Sequence, residues 1–444
     1  MNKNKIIFGL IWVILLALIV LLVSSLNSDG TQETTNPSSG NISIWILNDD
    51  TGSFNEYMSA FKQVYSQYSG RAIVVESFSD RQTYSNTLSA AIMAGTAPDI
   101  FVVPNGENSI FENQVLAVDP SFVSPNDFRL RFKPVFWEDL IVSSESDNTV
   151  EFLKWIPAWF ETLGIFYNRR YFLRPSEIGT WSDFTKEIRN IADKNTNIVP
   201  IALWNGSGVR RASEVLSALF VLEWKNSLAE TSVNESRQVL GMYNSFAQRN
   251  GDNRYNILSA PFETDTDIDY FTAWDVASMV WYPRDLLEID EIWYRTNLLF
   301  ATAFPRKLWK DKRTSIEYNY FAINKDTTHL EFAQNFLAYM ASSEGQQQYI
   351  DTFPFYLSPD VNVATAMAEK KILPSYNIVY KNFISEDDEL VSYQLGNKNL
   401  FSTWVLPILD LESWFDAEFT SLSSYVTCSS TKQTSFLNLS SPCK

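Results

Sequence analysis

The chain has 444 residues, 45% of them apolar and 15% aromatic, and a formal net charge of −17. That length is too great for one simple core and suits two or three domains, which the apolar share can fill. The acidic balance argues against nucleic acid and anionic lipid as partners, because both need clustered Lys and Arg.

Lys3 and Lys5 precede an unbroken apolar run from Ile6 to Val23. Eighteen helical residues cover about 27 Å, close to the roughly 30 Å hydrocarbon core of a bilayer. The run is longer than a typical signal-peptide core, and no A-x-A cleavage site follows it. An uncleaved N-terminal transmembrane helix is preferred over a cleaved signal. The lysines place the N-terminus inside and the body outside the cell membrane. No cysteine lies near the run, which excludes a lipoprotein anchor. Residues 26–41 are rich in Ser, Thr, Asn and Gly and read as a flexible stalk.

Ile42–Leu47 reads as a short strand that opens through Asn48, Asp49 and Asp50 into an amphipathic helix over about Ser53–Tyr68. A second helix covers about Thr83–Ala94. Gly95 stops it, Pro98 prevents its resuming, and the strand Ile100–Val103 follows. Strand, helix, strand, helix, strand begins an open parallel α/β sheet, in which ligands bind beyond the carboxyl ends of the strands.

Further strands are expected at Leu153–Pro157, Leu163–Tyr167, Ile198–Trp204, Val276–Trp281 and Tyr318–Ile323. Helices are expected from Thr180 or Ser182, at Ala212–Trp224, at Val233–Phe246, at Thr328–Ala341 and from Ser343. Aromatic-rich helices fill most of the remainder to Tyr425. The only two cysteines, Cys428 and Cys443, stand in a polar tail, where export would let them pair.

The order of these features resembles the family 1 extracellular solute-binding proteins, which include the maltose- and oligosaccharide-binding receptors of ABC importers. The resemblance covers roughly Ile42–Phe419 and rests on several segments. These are Ile44–Asp50, Ala94–Ile100, Pro157–Asn168, Thr180–Phe184, Ala277–Trp281, Tyr320–Lys325 and Ser342–Gln346. The chain departs from the family pattern at Asp275-Val276 and at Tyr282-Pro283.

The resemblance implies a two-lobed periplasmic-binding-protein-like α/β fold behind the N-terminal helix. Hinge crossings are expected near Trp155–Pro157, in Arg313–Tyr318 and near Phe355–Asp360. The expected organisation is an anchor or signal over 1–25, a stalk over 26–41 and a first lobe over 42–154. A second lobe follows over 155–314. The chain returns to the first lobe over 315–356, the second lobe and closing helices take 357–425, and the tail is 426–444.

A sugar cleft needs rings to stack on apolar sugar faces and carboxylates or amides to bond hydroxyls. Residue-by-residue carry-over gives Trp45, Asp49, Asp50, Asn105 and Glu107 in the first lobe and Glu161 at the crossover. In the second lobe it gives Trp204, Asn205, Trp281, Tyr282 and Trp404. Core packing competes as a reading for each Trp, and helix capping for Asp49 and Asp50.

Catalytic signals are thin. His329 is the only histidine, which argues against Ser-His-Asp and Cys-His catalysis and against His-ligated metals. Gly206–Arg211 lacks the third Gly of a dinucleotide loop, and there is no P-loop, so no cofactor is expected. The expected function is an extracytoplasmic receptor for a small solute, a carbohydrate foremost, that serves the permease subunits of an ABC importer. Two alternatives stay open. One is an anchored glycoside hydrolase using Glu161 with Asp49 or Asp50. The other is a sensor or scaffold that no longer binds solute.

Overall fold

In a computed structural model, the structure describes residues 41–369 and 389–392. Excepted are 106, 145–146, 148, 175–176, 196, 204–208, 290–298, 309–312, and 224–266 apart from Val239, Met242 and Tyr243. The expected anchor, the stalk to residue 40 and both cysteines therefore lie outside the described residues. Among the described residues no helix is long and apolar enough to cross a membrane.

The compact unit begins at Ile42. Its first strand β1 (Ile42–Leu47) leads into α1 (Thr51–Val64), β2 (Ile73–Phe78), α2 (Arg81–Ala94) and β3 (Ile100–Pro104). Local chemistry sets these boundaries. Asp50 caps α1 by accepting from the Ser53 amide at 2.7 Å, and Asp80 caps α2 through the Thr83 amide at 2.7 Å. Gly95 closes α2 with φ 67°, a left-handed position that costs glycine no Cβ clash. All five residues of β3 are buried, as a central strand covered on both faces requires. β1 pairs with β2 and with β3, both in parallel.

The chain then reaches β4 (Trp155–Thr162) and β5 (Gly164–Asn168). Next come α3 (Trp181–Lys194), capped by Thr180, and α4 (Ala212–Leu222). β6 (Ser278–Trp281), β7 (Leu299–Ala303) and β8 (Arg313–Asn324) follow. α5 (Leu330–Ala341), α6 (Ser343–Thr352) and β9 (Glu389–Ser392) complete the elements that matter for the site.

Two sheets organise these elements. The larger runs β9-β8-β3-β1-β2, with β4 also paired to β8; the smaller is antiparallel, β7-β5-β6. The larger sheet packs against α1, α5 and α6 through rings. Phe54, Tyr57 and Phe61 of α1 meet Phe336 and Tyr339 of α5, and Tyr57 meets the edge of Tyr349 at 5.1 Å. A separate core under the smaller sheet joins Tyr167, Phe184, Leu216 and Val280.

Two expectations change. β4 stays in the larger sheet from Trp155 to Thr162, so the chain crosses at Leu163 rather than at Trp155–Pro157. Pro157 does not end the strand, because a register shift at Asn319/Tyr320 accommodates it: Trp159 pairs with Asn319 and Pro157 with Tyr320, leaving Ala158 as the extra residue. The expected strand Ile198–Trp204 is reduced to two isolated bridges, Val199 with Val276 and Ala202 with Met279. β8 lies in the larger sheet from Arg313 onward, and Leu357 bridges Phe160 of β4. Thr162 ties β4 to β8 by donating to the Ser315 carbonyl at 2.9 Å.

Candidate functional site

A cavity of about 670 Å³ opens at the C-terminal ends of β1 and β2. One wall comes from the turns that follow those strands. The other comes from the start of α4 and the residues after β6, and Thr352–Tyr356 closes a third side.

The first wall begins where β1 turns at Asn48, with φ 68°. Asp49 points back into the protein and is 4% exposed. Its carboxylate accepts from the Tyr356 hydroxyl at 2.9 Å and from the Tyr349 hydroxyl. Burial pushes its pKa up to about 6, against the pull of the two hydroxyls and of Arg284. Arg81 opens α2 and holds three oxygens. It donates to Glu107 at 2.9 Å, to the Asn105 carbonyl at 2.6 Å and to Glu317 at 3.1 Å.

The second wall is arginine-rich. Arg211 forks onto Asp285, Nε donating to Oδ2 at 2.9 Å and Nη2 to Oδ1, and stands 5.0 Å from the Tyr282 ring. Burial raises the Asp285 carboxyl, but the charge and hydrogen bonds of Arg211, with help from Arg284, outweigh it and hold the group below its ordinary value. Arg210 donates to Glu288 at 2.6 Å. Arg284 lies 5.7 Å from the Trp159 ring, and that ring stacks on Tyr356 at 4.1 Å with 2° between planes. Turned to satisfy both its ends, the Asn48 amide accepts from Arg284 Nη1 at 3.2 Å.

Glu317 on β8 links the walls: one oxygen accepts from Arg81, the other from the Tyr282 hydroxyl at 2.9 Å. Glu161 on β4 lies beneath, with no exposed surface and 3.2 Å from Arg284 Nε. Neither Glu161 oxygen receives a hydrogen bond among the described residues. Burial therefore dominates and pushes the carboxyl up to about 8, against the opposing charge of Arg284.

The sign of the consequence is fixed. The unfolded chain releases this proton near pH 4.5, while the folded chain keeps it until about pH 8. Stability contributed below that window is lost as pH rises through it, about 2 kcal/mol of the loss falling between pH 6 and 8. Urea titrations of wild type and Glu161→Gln over that range should show the steeper decline in wild type, because Asp49, raised to about 6, adds a smaller decline to both. An equal decline in the variant would contradict the assignment.

The structure brings some of the expected site residues together and separates others. Asp49 and Asp50 line the cavity. Asn105 and Glu107 stand behind Arg81 and orient it. Tyr282 is buried and reaches Glu317. Trp45 is half-buried on the Phe78 ring at 5.3 Å and does not line the cavity. Trp281 has no exposed surface. It packs between Phe166 and Phe271, 5.8 Å from each, and donates to Asp267 at 3.3 Å, so it is a core ring and not a stacking surface. Trp204, Asn205 and Trp404 lie outside the described residues. His329 stands at the start of α5 with Nδ1 3.1 Å from Asp99 and takes no part in the cavity.

Sequence reasoning missed Arg81, Arg211, Arg284, Trp159 and Tyr356. A signal existed for the first: Asp80-Arg81 follows β2 as Asp49-Asp50 follows β1, and the strand-end rule applies to both. Among the described residues no group of His, Cys, Asp and Glu could hold a metal ion.

Comparison with known proteins agrees with this architecture. The fold is similar to that of the GacH receptor of Streptomyces glaucescens, at 13% identity and TM-score 0.61 over 86% of this chain and 94% of that one. It is also similar to an ABC substrate-binding protein of Listeria monocytogenes, at 13% identity and TM-score 0.63 over 89% and 98%. The sugar-binding protein MalE of Xanthomonas citri gives 12% and 0.61 over 84% and 93%. None of the curated proteins matches the sequence. The family described as bacterial extracellular solute-binding protein matches residues 51–347, two thirds of the chain, so the chain belongs to that family.

Proposed function

We propose that this chain is an extracytoplasmic receptor that takes a carbohydrate into the cavity between its two sheets and delivers it to the permease of an ABC importer. The carrying observation is the cavity's lining, in which planar guanidinium and carboxylate groups converge beside the half-buried Phe353 ring, 6.2 Å from Tyr356 of the buried Trp159–Tyr356 stack. Such groups bond vicinal hydroxyls, and rings cover apolar sugar faces. The volume of about 670 Å³ falls within the range of roughly 300–1,000 Å³ usual for small-molecule sites. Similar folds have been described in complex with acarbose and with cycloalternan, which supports the choice of solute class.

The burial of Glu161 weighs against the hydrolase reading, because an acid with no exposed surface cannot reach a glycosidic oxygen in this state. Residues 1–25 would tether the receptor with its N-terminus inside. Recovery in the membrane fraction with release only by detergent is the expected result, and a chain washed off by alkaline carbonate would refute the tether.

The test of binding is thermal unfolding of the full-length protein in detergent with oligosaccharides, polyols, amino acids and peptides. A solute present at 100 times its Kd should add about 2.7 kcal/mol to stability. A response confined to amino acids or peptides would replace the solute class, and no response to any solute would overturn the receptor reading.

A further inference from the structure

The cavity carries more carboxylates than guanidinium groups. Among its described lining residues are four arginines and seven acids. Each arginine already has a carboxylate partner. Arg81 holds Glu107 and Glu317, and Arg211 holds Asp285 with Glu214 at 3.6 Å. Arg210 holds Glu288; Arg284 lies against Glu161, which keeps its proton to about pH 8, and its charge acts on Asp49. The acids left over are Asp50 and Asp80, placed where β1 and β2 end. The Asp50 and Asp80 carboxyls are held below the ordinary range, chiefly by the Ser53 backbone and the Thr83 side chain respectively, so both stay charged.

An arginine that recognises an anionic ligand must offer it a guanidinium edge. Here an anion would have to displace a protein carboxylate while entering a lining that holds three more acids than arginines. A hydroxyl group meets no such obstacle. It donates to a carboxylate and accepts from a guanidinium without adding charge, so the paired groups serve it as they stand.

We infer that the cavity takes uncharged polyhydroxyl solutes and rejects acidic sugars of the same size. Glu317 and Asp285 set this rejection, because they occupy the guanidinium edges of Arg81 and Arg211 that an acidic sugar would need. Specificity of this kind comes from a repulsive element built into the site, not from an added attraction. The inference rests on the carbohydrate reading and deepens it.

The test uses the full-length protein and matched pairs of probes: galactobiose against digalacturonate, and xylotriose against its glucuronic-acid-substituted form. In the wild type the neutral member of the accepted pair should bind at least about 100-fold more tightly than the acidic one, the scale expected of uncompensated like charge in a partly buried site. Glu317→Gln should narrow that ratio by about tenfold, chiefly through tighter binding of the acidic member. Asp285→Asn should act in the same direction, and because it touches a buried pair, Glu317→Gln carries the test if it fails to fold.

An acidic member bound as tightly as its neutral counterpart overturns the inference and leaves the carbohydrate reading standing. Failure of every neutral and acidic probe to bind a folded protein overturns the carbohydrate reading, and the inference falls with it. A ratio unchanged in Glu317→Gln removes Glu317 from the role.

Discussion

Trp281→Ala is expected to cost about 3–5 kcal/mol of folding stability while leaving the solute affinity of the folded fraction within about twofold of wild type. The indole fills the core beside β6 among Phe166, Phe271 and Met279, and nothing of it reaches solvent. Truncation opens a cavity that a strand held on one side by β5 and on the other by the Ala202 bridge cannot close. It also removes a donor from Asp267, a carboxylate with no exposed surface whose pKa burial already raises. The readouts are the urea midpoint and the affinity measured well below it. Unchanged stability with lost affinity would return this ring to the cleft.

Gly345→Ala is expected to cost about 3 kcal/mol or more, well beyond the penalty of adding a methyl group at an open helical position. α5 and α6 are joined by one residue, Ser342, whose hydroxyl donates to the Tyr339 carbonyl at 2.6 Å and accepts from the Gly345 amide at 2.9 Å. That corner brings the backbones so close that a Cβ on Gly345 would stand 1.9 Å from the Tyr339 oxygen. The obstacle is backbone, flanked by buried Met340 and Ala341, and cannot swing away. Because α6 carries Tyr349 to Asp49, the damage should extend to the cavity. The variant should melt lower and bind solute more weakly even where it remains folded. A melting curve superimposable on wild type would show that the two helices are free to part.

Much of the fold is legible in the order of residues along the chain. β1 to β3 announce themselves because each helix begins at an aspartate that can cap it and α2 ends at a glycine that can turn left-handed. Thr180 marks the start of α3 in the same way. The crossing at Leu163 is not legible, because Pro157 carries the local signal of a strand end and only its pairing with β8 shows that a bulge absorbs it. The site divides along the same line. Asp49 and Asp50 are found by following a strand to its end. Arg81, Arg211 and Arg284 lie on three separate segments, and only the fold brings them to one cavity. Trp281 misleads for the opposite reason: it ends a strand, but every residue of that strand is buried.

Calorimetric titration of the full-length protein with neutral oligosaccharides, with recovery of the sugar afterwards, tests the central claim most directly. The account predicts saturable binding of one solute per chain and recovery of the sugar intact. Absence of any heat from a folded protein, or recovery of shortened sugar, would contradict it.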